Sequence, residues 1–168
     1  MAKFLLLALF LSQCNGANQS HQNTQEPMEN QEQAKDAQEQ QAPIAQGISG
    51  QVLWVSGNQM PSPDAPPSKG RGVERTLYIY ELTNASQAQT TDGVFHTNIQ
   101  TNLVTQVDTD ANGNFAVSLK PGTYSLFSKE EKGLFASLYD GEMNINPVEV
   151  QEGQVTSVEF LINYQASY

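Results

Sequence analysis

The chain has 168 residues, of which 38% are hydrophobic, and its formal net charge at pH 7 is −10. This negative charge repels the phosphates of nucleic acids and anionic membrane surfaces, so we expect neither as a partner through charge. Because Cys14 is the single cysteine, an internal disulfide bond and a cysteine-based zinc site are also excluded.

The N-terminus carries a short apolar segment that ends at this cysteine. Residues 4–11 form an unbroken apolar run, too short to span a bilayer as a helix but of the length found in secretion signals. The run ends in Leu11-Ser12-Gln13-Cys14, which resembles the lipobox of bacterial lipoproteins in its leucine, serine and cysteine. The resemblance implies that residues 1–13 are a signal peptide and that Cys14 carries acyl chains that anchor the protein stably. The alternative is an ordinary secretion signal with a cysteine there by chance.

A different composition follows in residues 14–46, which are dominated by Gln, Asn and Glu and contain no aromatic residue. Such a segment cannot bury enough apolar surface to offset the loss of chain entropy, so its composition predicts disorder. We expect it to act as a tether between lipid and domain, about 110 Å long when fully extended.

The first half of the folded part alternates between segments typical of strands and of loops. In residues 47–56, Val52 and Trp54 share one face of a strand. Residues 76–82 read TLYIYEL, rich in the β-branched and aromatic residues of strands. Prolines exclude a central strand from residues 57–72. The pattern predicts strands at residues 47–56, 76–82, 93–96 and 102–107, the last two being two short strands or one interrupted strand, and long loops at residues 57–72 and 84–92.

Residues 108–124, DTDANGNFAVSLKPGTY, combine two turn signals with one alternating run. Asn112-Gly113 is a dipeptide that tolerates the positive φ of tight turns, and Pro121-Gly122 has the chemistry of a second turn. Between the turns, apolar residues recur with the period of two that marks a strand with one buried face. We therefore expect a β-meander here.

The last third of the chain adds a charged turn and two further strands. Residues 129–141 contain an apolar group consisting of Leu134, Phe135, Leu138 and Tyr139. This group predicts an interaction patch if it is exposed and a cap over one end of the fold if it is buried. Strands are predicted at residues 148–150 and 156–162, the second ending near Tyr164. About seven short strands without a convincing amphipathic helix predict an all-β fold, a single antiparallel β-sandwich of Ig-like architecture after a disordered N-terminal segment.

The order of these motifs resembles the carboxypeptidase regulatory-like domain. Three patterns match: Gly-x-Val in the first strand, Thr-Asp-x-x-Gly-x-Phe at the first turn, and Leu-x-Pro-Gly-x-Tyr at the second. The matching residues are Gly50, Val52, Thr109, Asp110, Gly113, Phe115, Leu119, Pro121, Gly122 and Tyr124. The resemblance implies a transthyretin-like (prealbumin-like) β-sandwich over residues 47–164. Signal, tether and domain together look like a small lipoprotein of the surface or outer membrane, such as those of Bacteroidota.

The turn at residues 108–113 also matches the first half of an EF-hand calcium loop. Oxygen side chains at Asp108, Asp110 and Asn112 have the alternate spacing that can wrap a hard cation. Leu119 stands at the twelfth position, where such a loop has a bidentate glutamate. We therefore expect a turn whose Asp and Asn side chains bind nearby amides, with calcium as the alternative.

Nucleophilic catalysis needs a base beside the nucleophile, and His96 is the one histidine of the predicted domain. Its place beside Phe95 in an apolar run is typical of a buried structural histidine. Among transthyretin-like relatives, the intradiol dioxygenases bind iron with two Tyr and two His, which one histidine cannot supply. The hydroxyisourate hydrolases end in Tyr-Arg-Gly-Ser, whereas residues 164–168 here lack the arginine. We expect no enzyme activity and no cofactor.

Two hypotheses of function follow. The first is a non-catalytic, lipid-anchored module of the cell envelope, at the outer membrane and facing the periplasm or the surface, with a structural or protein-interaction role. The second is a ligand-binding lipoprotein, with carbohydrate as the ligand, if aromatic rings are exposed for stacking. The candidate rings are those of Trp54, Tyr78, Tyr80, Phe135 and Tyr139. The expected partners are the membrane, through the lipid on Cys14, and an envelope protein or a glycan.

Overall fold

A computed structural model of the chain describes residues 43–60 and 69–168. The predicted signal peptide, Cys14, most of the predicted tether and residues 61–68 lie outside this part. Gln46, the last residue of the predicted tether, is attached to the domain by two hydrogen bonds. Its Nε2 donates to the Leu119 carbonyl at 2.7 Å, and its Oε1 accepts from the Gly153 amide at 2.8 Å. The contacts of the domain therefore begin one residue before Gly47.

The described residues form eleven strands and one short 3-10 helix at Ala85–Gln87. The strands are β1 (Gly47–Asn58), β2 (Arg71–Gly72), β3 (Thr76–Glu81), β4 (Gln89–Thr91), β5 (Phe95–Thr97), β6 (Leu103–Asp108), β7 (Asn114–Ser118), β8 (Gly122–Glu130), β9 (Gly133–Phe135), β10 (Pro147–Val150) and β11 (Val155–Ser167).

Two sheets face each other. The smaller has the order β11-β1-β2, with β7 also paired to β1, and the larger has the order β4-β5-β9-β8-β3-β6, with β10 also paired to β8. All pairs are antiparallel except β1 and β11, which run parallel. The prediction of an all-β sandwich is confirmed. Seven of the strands have four residues or more, and the other four have two or three.

The core lies between the sheets because successive side chains of a strand point to opposite faces. Strand β1 contributes Ile48 and Val52, and β3 contributes Leu77 and Ile79, all fully buried. Each such side chain stabilises the fold by about 1.5–3 kcal/mol relative to an exposed one. The other buried members of this cluster are Val73, Phe95, Phe115, Leu119, Leu126, Phe135, Val150, Phe160 and Ile162.

The β-meander prediction is wrong. Strand β7 pairs with β1 in the smaller sheet, whereas β8 pairs with β3, β9 and β10 in the larger one. The chain turns at the first predicted position and bends at Pro121 before β8, but each of these segments connects strands of different sheets and is a corner. At the second corner the Tyr124 hydroxyl donates to the Lys120 carbonyl at 2.8 Å, which fixes the chain where it changes sheets. Turn chemistry specifies a reversal, and it does not specify whether the flanking strands pair.

Several boundaries also differ from the predictions. The predicted loop at residues 84–92 contains the 3-10 helix and β4, because β4 gains its hydrogen bonds from β5 despite its polar composition. The two predicted short strands are separate strands, β5 and β6, on different sides of the larger sheet. The last strand continues to Ser167, since β1 provides backbone partners along nearly its whole length.

Gly50 allows this parallel pairing. A Cβ atom at this position would lie 1.8 Å from the Val158 carbonyl oxygen of β11, so any side chain would force the two strands apart. Glycine is therefore required at this position of the Gly-x-Val pattern for steric reasons. Val52, the valine of the pattern, is buried in the core.

Candidate ligand-binding groove

Strand β3 presents two tyrosines on the outer face of the larger sheet. Its alternation places Leu77 and Ile79 in the core, so Tyr78 and Tyr80 project from the opposite face, where both are partly buried. The period of two in TLYIYEL predicts that the tyrosines share a face. The structure shows that this face is the outer one.

A second apolar cluster supports these rings from the same face. Its buried members are Phe127, Ala136 and Ile145, and the partly buried residues around it include Tyr78, Tyr80, Ile99, Leu134 and Tyr139. The Tyr80 ring meets Phe127 edge to face, with ring centroids 5.6 Å apart and planes at 88°. This contact restricts the orientation of the Tyr80 ring.

The two tyrosines and residues of this second cluster line an open groove with a volume of about 420 Å³. Tyr78, Tyr80, Ile99 and Leu134 give it apolar walls, and polar side chains stand at its margin. The polar lining residues are Thr97, Asn98, Lys129 and Glu131, together with Glu130, whose carboxylate accepts from Arg75 and Tyr164 on the opposite face of the sheet. A volume of this size, with aromatic walls and a few polar groups, is typical of small-molecule sites.

Ile99, which forms one wall of the groove, lies in a loop whose residues immediately before and after it are hydrogen-bonded. The Asn98 side chain donates to Gln89 Oε1 at 2.7 Å, and the Gln100 amide donates to the Gln87 carbonyl at 2.9 Å. Both acceptors lie in or beside the 3-10 helix and β4. The segment predicted as a plain loop therefore positions one wall of the groove.

The groove carries both charge and neutral hydrogen-bonding groups. Lys129 Nζ lies 5.9 Å from the centroid of the Tyr78 ring, a cation–π arrangement. Burial, followed by the proximity of Tyr78, raises the pKa of the Tyr80 hydroxyl above its ordinary value of 10.0. Tyr80 is therefore a neutral phenol at physiological pH, able to donate and to accept a hydrogen bond.

His96 lies beneath the groove with a fully buried side chain. Its Nε2 lies 3.1 Å from the Ala136 carbonyl, which can only accept, so Nε2 carries the proton and Nδ1 accepts from the Thr90 hydroxyl at 3.0 Å. Burial lowers the pKa of His96 below 6.5, opposed in part by the bond to Ala136. This geometry is that of a neutral structural histidine with both ring nitrogens partnered.

The four residues predicted as an interaction patch are separated. Phe135 is fully buried in the main core, so it belongs to no surface. Leu134 and Tyr139 pack against the second cluster, and the Tyr139 hydroxyl donates to the Gly93 carbonyl at 3.0 Å. Leu138 alone is largely exposed, at 63%. Phe135 is therefore buried and Leu134 and Tyr139 are partly buried, so the four side chains do not form one exposed patch.

Trp54 is also partly buried. Its ring lies edge to face with Tyr164, with centroids 5.2 Å apart, and the Arg75 guanidinium carbon is 5.6 Å from its centroid. Arg75 Nε and the Tyr164 hydroxyl both donate to the Glu130 carboxylate, at 2.8 and 3.0 Å. Trp54 thus packs beside a polar network between the sheets and lines a separate groove with Arg71 and Glu74. Tyr78 and Tyr80 are the candidate rings that line one groove together.

The residues of the calcium alternative hold a turn together. Asp110 Oδ1 accepts from the Asn112 and Asn114 amides, both at 2.8 Å, and Oδ2 accepts from Asn114 Nδ2 at 2.9 Å. Asp108 Oδ1 accepts from the Thr76 hydroxyl at 2.6 Å. Within residues 43–60 and 69–168 there is no cluster of three or more His, Cys, Asp or Glu side chains arranged to hold a metal ion.

Sequence reasoning selected Tyr78 and Tyr80 as candidate rings and did not select Ile99, Lys129 or Glu131. These residues come from separate segments that only the sheet order brings together. The pairing of β9 with both β5 and β8 places Leu134 beside His96 and Lys129. No local sequence signal encodes this neighbourhood.

No protein-family model matches the chain, and no curated protein matches it. Among the described residues, no helix has the length and apolar character needed to cross a bilayer.

Proposed function

We propose that this protein is a non-catalytic, lipid-anchored binding module of the cell envelope, and that its β-sandwich binds a carbohydrate in the groove of Tyr78 and Tyr80. The observation that carries the proposal is the pair of partly exposed tyrosine rings on one face of β3, beside polar groups at the groove margin. It favours ligand binding over a purely structural role.

The chemistry of the groove suits a sugar. A pyranose presents an apolar face of C–H groups and a rim of hydroxyls, which match aromatic walls and polar margins respectively. The neutral Tyr80 phenol, Asn98 and Thr97 offer donors and acceptors without requiring a charged ligand. Lys129 and Glu131 carry opposite charges, so the groove margin selects neither anions nor cations.

The non-catalytic part of the proposal is supported by His96. Both of its ring nitrogens are engaged with Thr90 and Ala136, and its side chain is fully buried. A general base must reach the proton that it abstracts. A buried histidine with two protein partners is poorly placed for that role.

The binding proposal is tested by screening the full chain on a glycan array and measuring the affinity of the best ligand by calorimetry. Tyr78→Ala should weaken binding by at least about tenfold, since a ring contact of roughly 1.5 kcal/mol corresponds to that factor. Tyr168→Ala is the matched control, because Tyr168 is an exposed tyrosine (76%) that does not line the groove. No bound glycan, or equal affinity of the two variants, would overturn the proposal.

Envelope anchoring rests on the lipobox-like sequence at Cys14 and needs a separate experiment. Cells expressing the chain are fed a labelled fatty acid, and the protein is followed into the outer-membrane fraction. We expect label and membrane association in the parent and neither in Cys14→Ser. Anchoring is tested by Cys14→Ser and ligand binding by Tyr78→Ala, so the two parts of the proposal can fail independently.

A further inference from the structure

Strand β11 forms a long edge of the smaller sheet. It has thirteen residues and, in the part of the chain that the structure describes, pairs with β1 and with no other strand. The ladder is regular from Val155 to Ile162, after which the register shifts. Eight regular residues offer an edge roughly 26 Å long.

The direction of the ladder determines which backbone groups face outward. The Gly47 amide donates to the Gln154 carbonyl at 3.0 Å, with Gly47 opposite Val155. In a parallel ladder, alternate residues bond to the same neighbour. The even-numbered residues therefore bond to β1, and the amides and carbonyls of Val155, Ser157, Glu159 and Leu161 point away from it.

These outward groups border a groove between β11 and β10, the neighbouring edge of the other sheet. Its volume is about 600 Å³, and its walls include Val148 and Glu149 on one side and Ser157 and Glu159 on the other. The Thr156 hydroxyl donates to the Glu149 carbonyl at 2.6 Å and joins the two walls.

Exposed apolar side chains follow the same edge. Val155 is 39% exposed, Leu161 is 41% exposed, and Leu138, which faces β11 across a smaller adjoining cavity, is 63% exposed. Single exposed apolar residues are ordinary, but a row beside unpaired backbone groups is a docking surface of the kind that strands use.

The charged residues along the β11 edge are negative. Glu149 and Glu159 line the two cavities, Glu152 stands in the turn between their strands, and neither lining contains a lysine or an arginine. Two other edge strands are protected in familiar ways: β4 has only three residues, and β10 begins with Pro147. Residues 155–162 contain no proline and no lysine.

We propose that β11 docks an extended segment of a partner protein, rich in alternating basic and apolar residues, by strand addition to its free edge. Backbone hydrogen bonds to Ser157, Glu159 and Leu161 hold the segment, and its basic side chains meet the glutamates beside the groove. This protein-interaction surface is separate from the tyrosine groove and does not depend on carbohydrate binding.

The test uses the full chain and a fluorescent eight-residue peptide of alternating lysine and valine. The first control peptide has glutamate in place of lysine and so reverses the charge. The second has N-methyl groups on the amides that would face β11 and so cannot donate backbone hydrogen bonds to it. We expect saturable binding of the first peptide, with affinity at least about tenfold weaker for both controls, because strand addition needs charge match and backbone donors.

Matched variants locate the site. Glu159→Lys should weaken peptide binding by at least about tenfold, whereas Glu142→Lys, the same charge change at an exposed position away from β11, should leave it within about twofold. Hydrogen exchange should slow at the Ser157, Glu159 and Leu161 amides when the peptide is bound. Absence of binding, equal binding of the N-methylated peptide, or protection elsewhere would overturn the proposal.

Discussion

Two turns of this protein have the same hydrogen bonds but differ in the space available to the side chain of their fourth residue. In residues 110–114 and 140–144, an aspartate Oδ1 accepts from the amides two and four positions later, and Oδ2 accepts from an asparagine Nδ2 at 2.9 Å. The aspartate amide donates to the asparagine carbonyl in both, at 2.9 and 3.1 Å. One pattern, Asp-x-x-x-Asn, therefore builds both turns.

The fourth residue distinguishes them. Gly113 has a φ of 81°, and a Cβ at this position would lie 2.2 Å from the Val52 carbonyl oxygen. Met143 has a φ of 65° and is 54% exposed. A non-glycine residue can therefore adopt the left-handed conformation when the surrounding hydrogen bonds hold it. The glycine of the first turn is required by the close approach of β1.

The largest effect is expected at Gly113. Gly113→Ala adds a Cβ that is both in the left-handed region and against β1, whereas Met143 already has a Cβ, which Met143→Ala keeps. We expect Gly113→Ala to lower the free energy of unfolding by about 2–4 kcal/mol and Met143→Ala to change it by less than about 0.5 kcal/mol. Urea unfolding measures both. Equal effects would show that a Cβ at Gly113 costs nothing.

A smaller effect should follow from removing the aspartates. Asp110→Ala leaves two backbone amides and one side-chain amide without their acceptor, which should cost about 1–2 kcal/mol in the free energy of unfolding. Asp140→Ala should act in the same direction, because its bonds are the same. Thr105→Ala is a control for loss of a surface hydrogen-bonding residue. A neutral Asp110→Ala would mean that water replaces the carboxylate.

The pH dependence of stability sharpens the comparison further. The Asn114 and Asn144 side-chain amides lower the pKa of Asp110 and Asp140, respectively, below 3.8. The contribution of the two aspartates to the free energy of unfolding is therefore complete above pH 3.8 and is lost as the pH falls through their lowered pKa values. Burial lowers the pKa of His96, so the stability that neutral His96 contributes to the protein is lost in a different pH range, beginning as the pH falls below 6.5.

Thermal unfolding followed from pH 8 down to about pH 2 should resolve these two windows. The double variant Asp110→Ala/Asp140→Ala should flatten the acidic branch alone, and His96→Gln should flatten the branch below pH 6.5 alone. If the double variant kept the full acidic slope, other carboxylates would be responsible for it.

The smallest effect is expected for Met143→Gly. Glycine relieves the left-handed strain of about 1 kcal/mol but loses more chain entropy on folding, by roughly 0.5–1 kcal/mol. The two terms nearly cancel, so the unfolding midpoint should stay close to that of the parent. A large stabilisation would show that Met143 is strained in spite of its hydrogen bonds.

These turns also show what the sequence can predict. Asn112-Gly113 is recognisable because both residues tolerate positive φ, whereas Met143 gives no such signal and its turn was not predicted. The alternation in β3 predicts that Tyr78 and Tyr80 share a face. Local patterns of this kind determine which residues lie together on a strand. They do not determine which strands pair, and this is why the meander prediction failed and why Ile99, Lys129 and Glu131 were not selected as groove residues.

The parallel contact between β1 and β11 also affects how the chain is made. Strand β1 pairs with β11 along nearly the whole length of both strands, and more than ninety residues separate the two in sequence. The strands of the larger sheet are all synthesised before β11, so that sheet can assemble on the ribosome. Contacts so distant in sequence slow folding. One backbone edge of β1, opposite the edge that pairs with β2 and β7, therefore stays unpaired until late in synthesis.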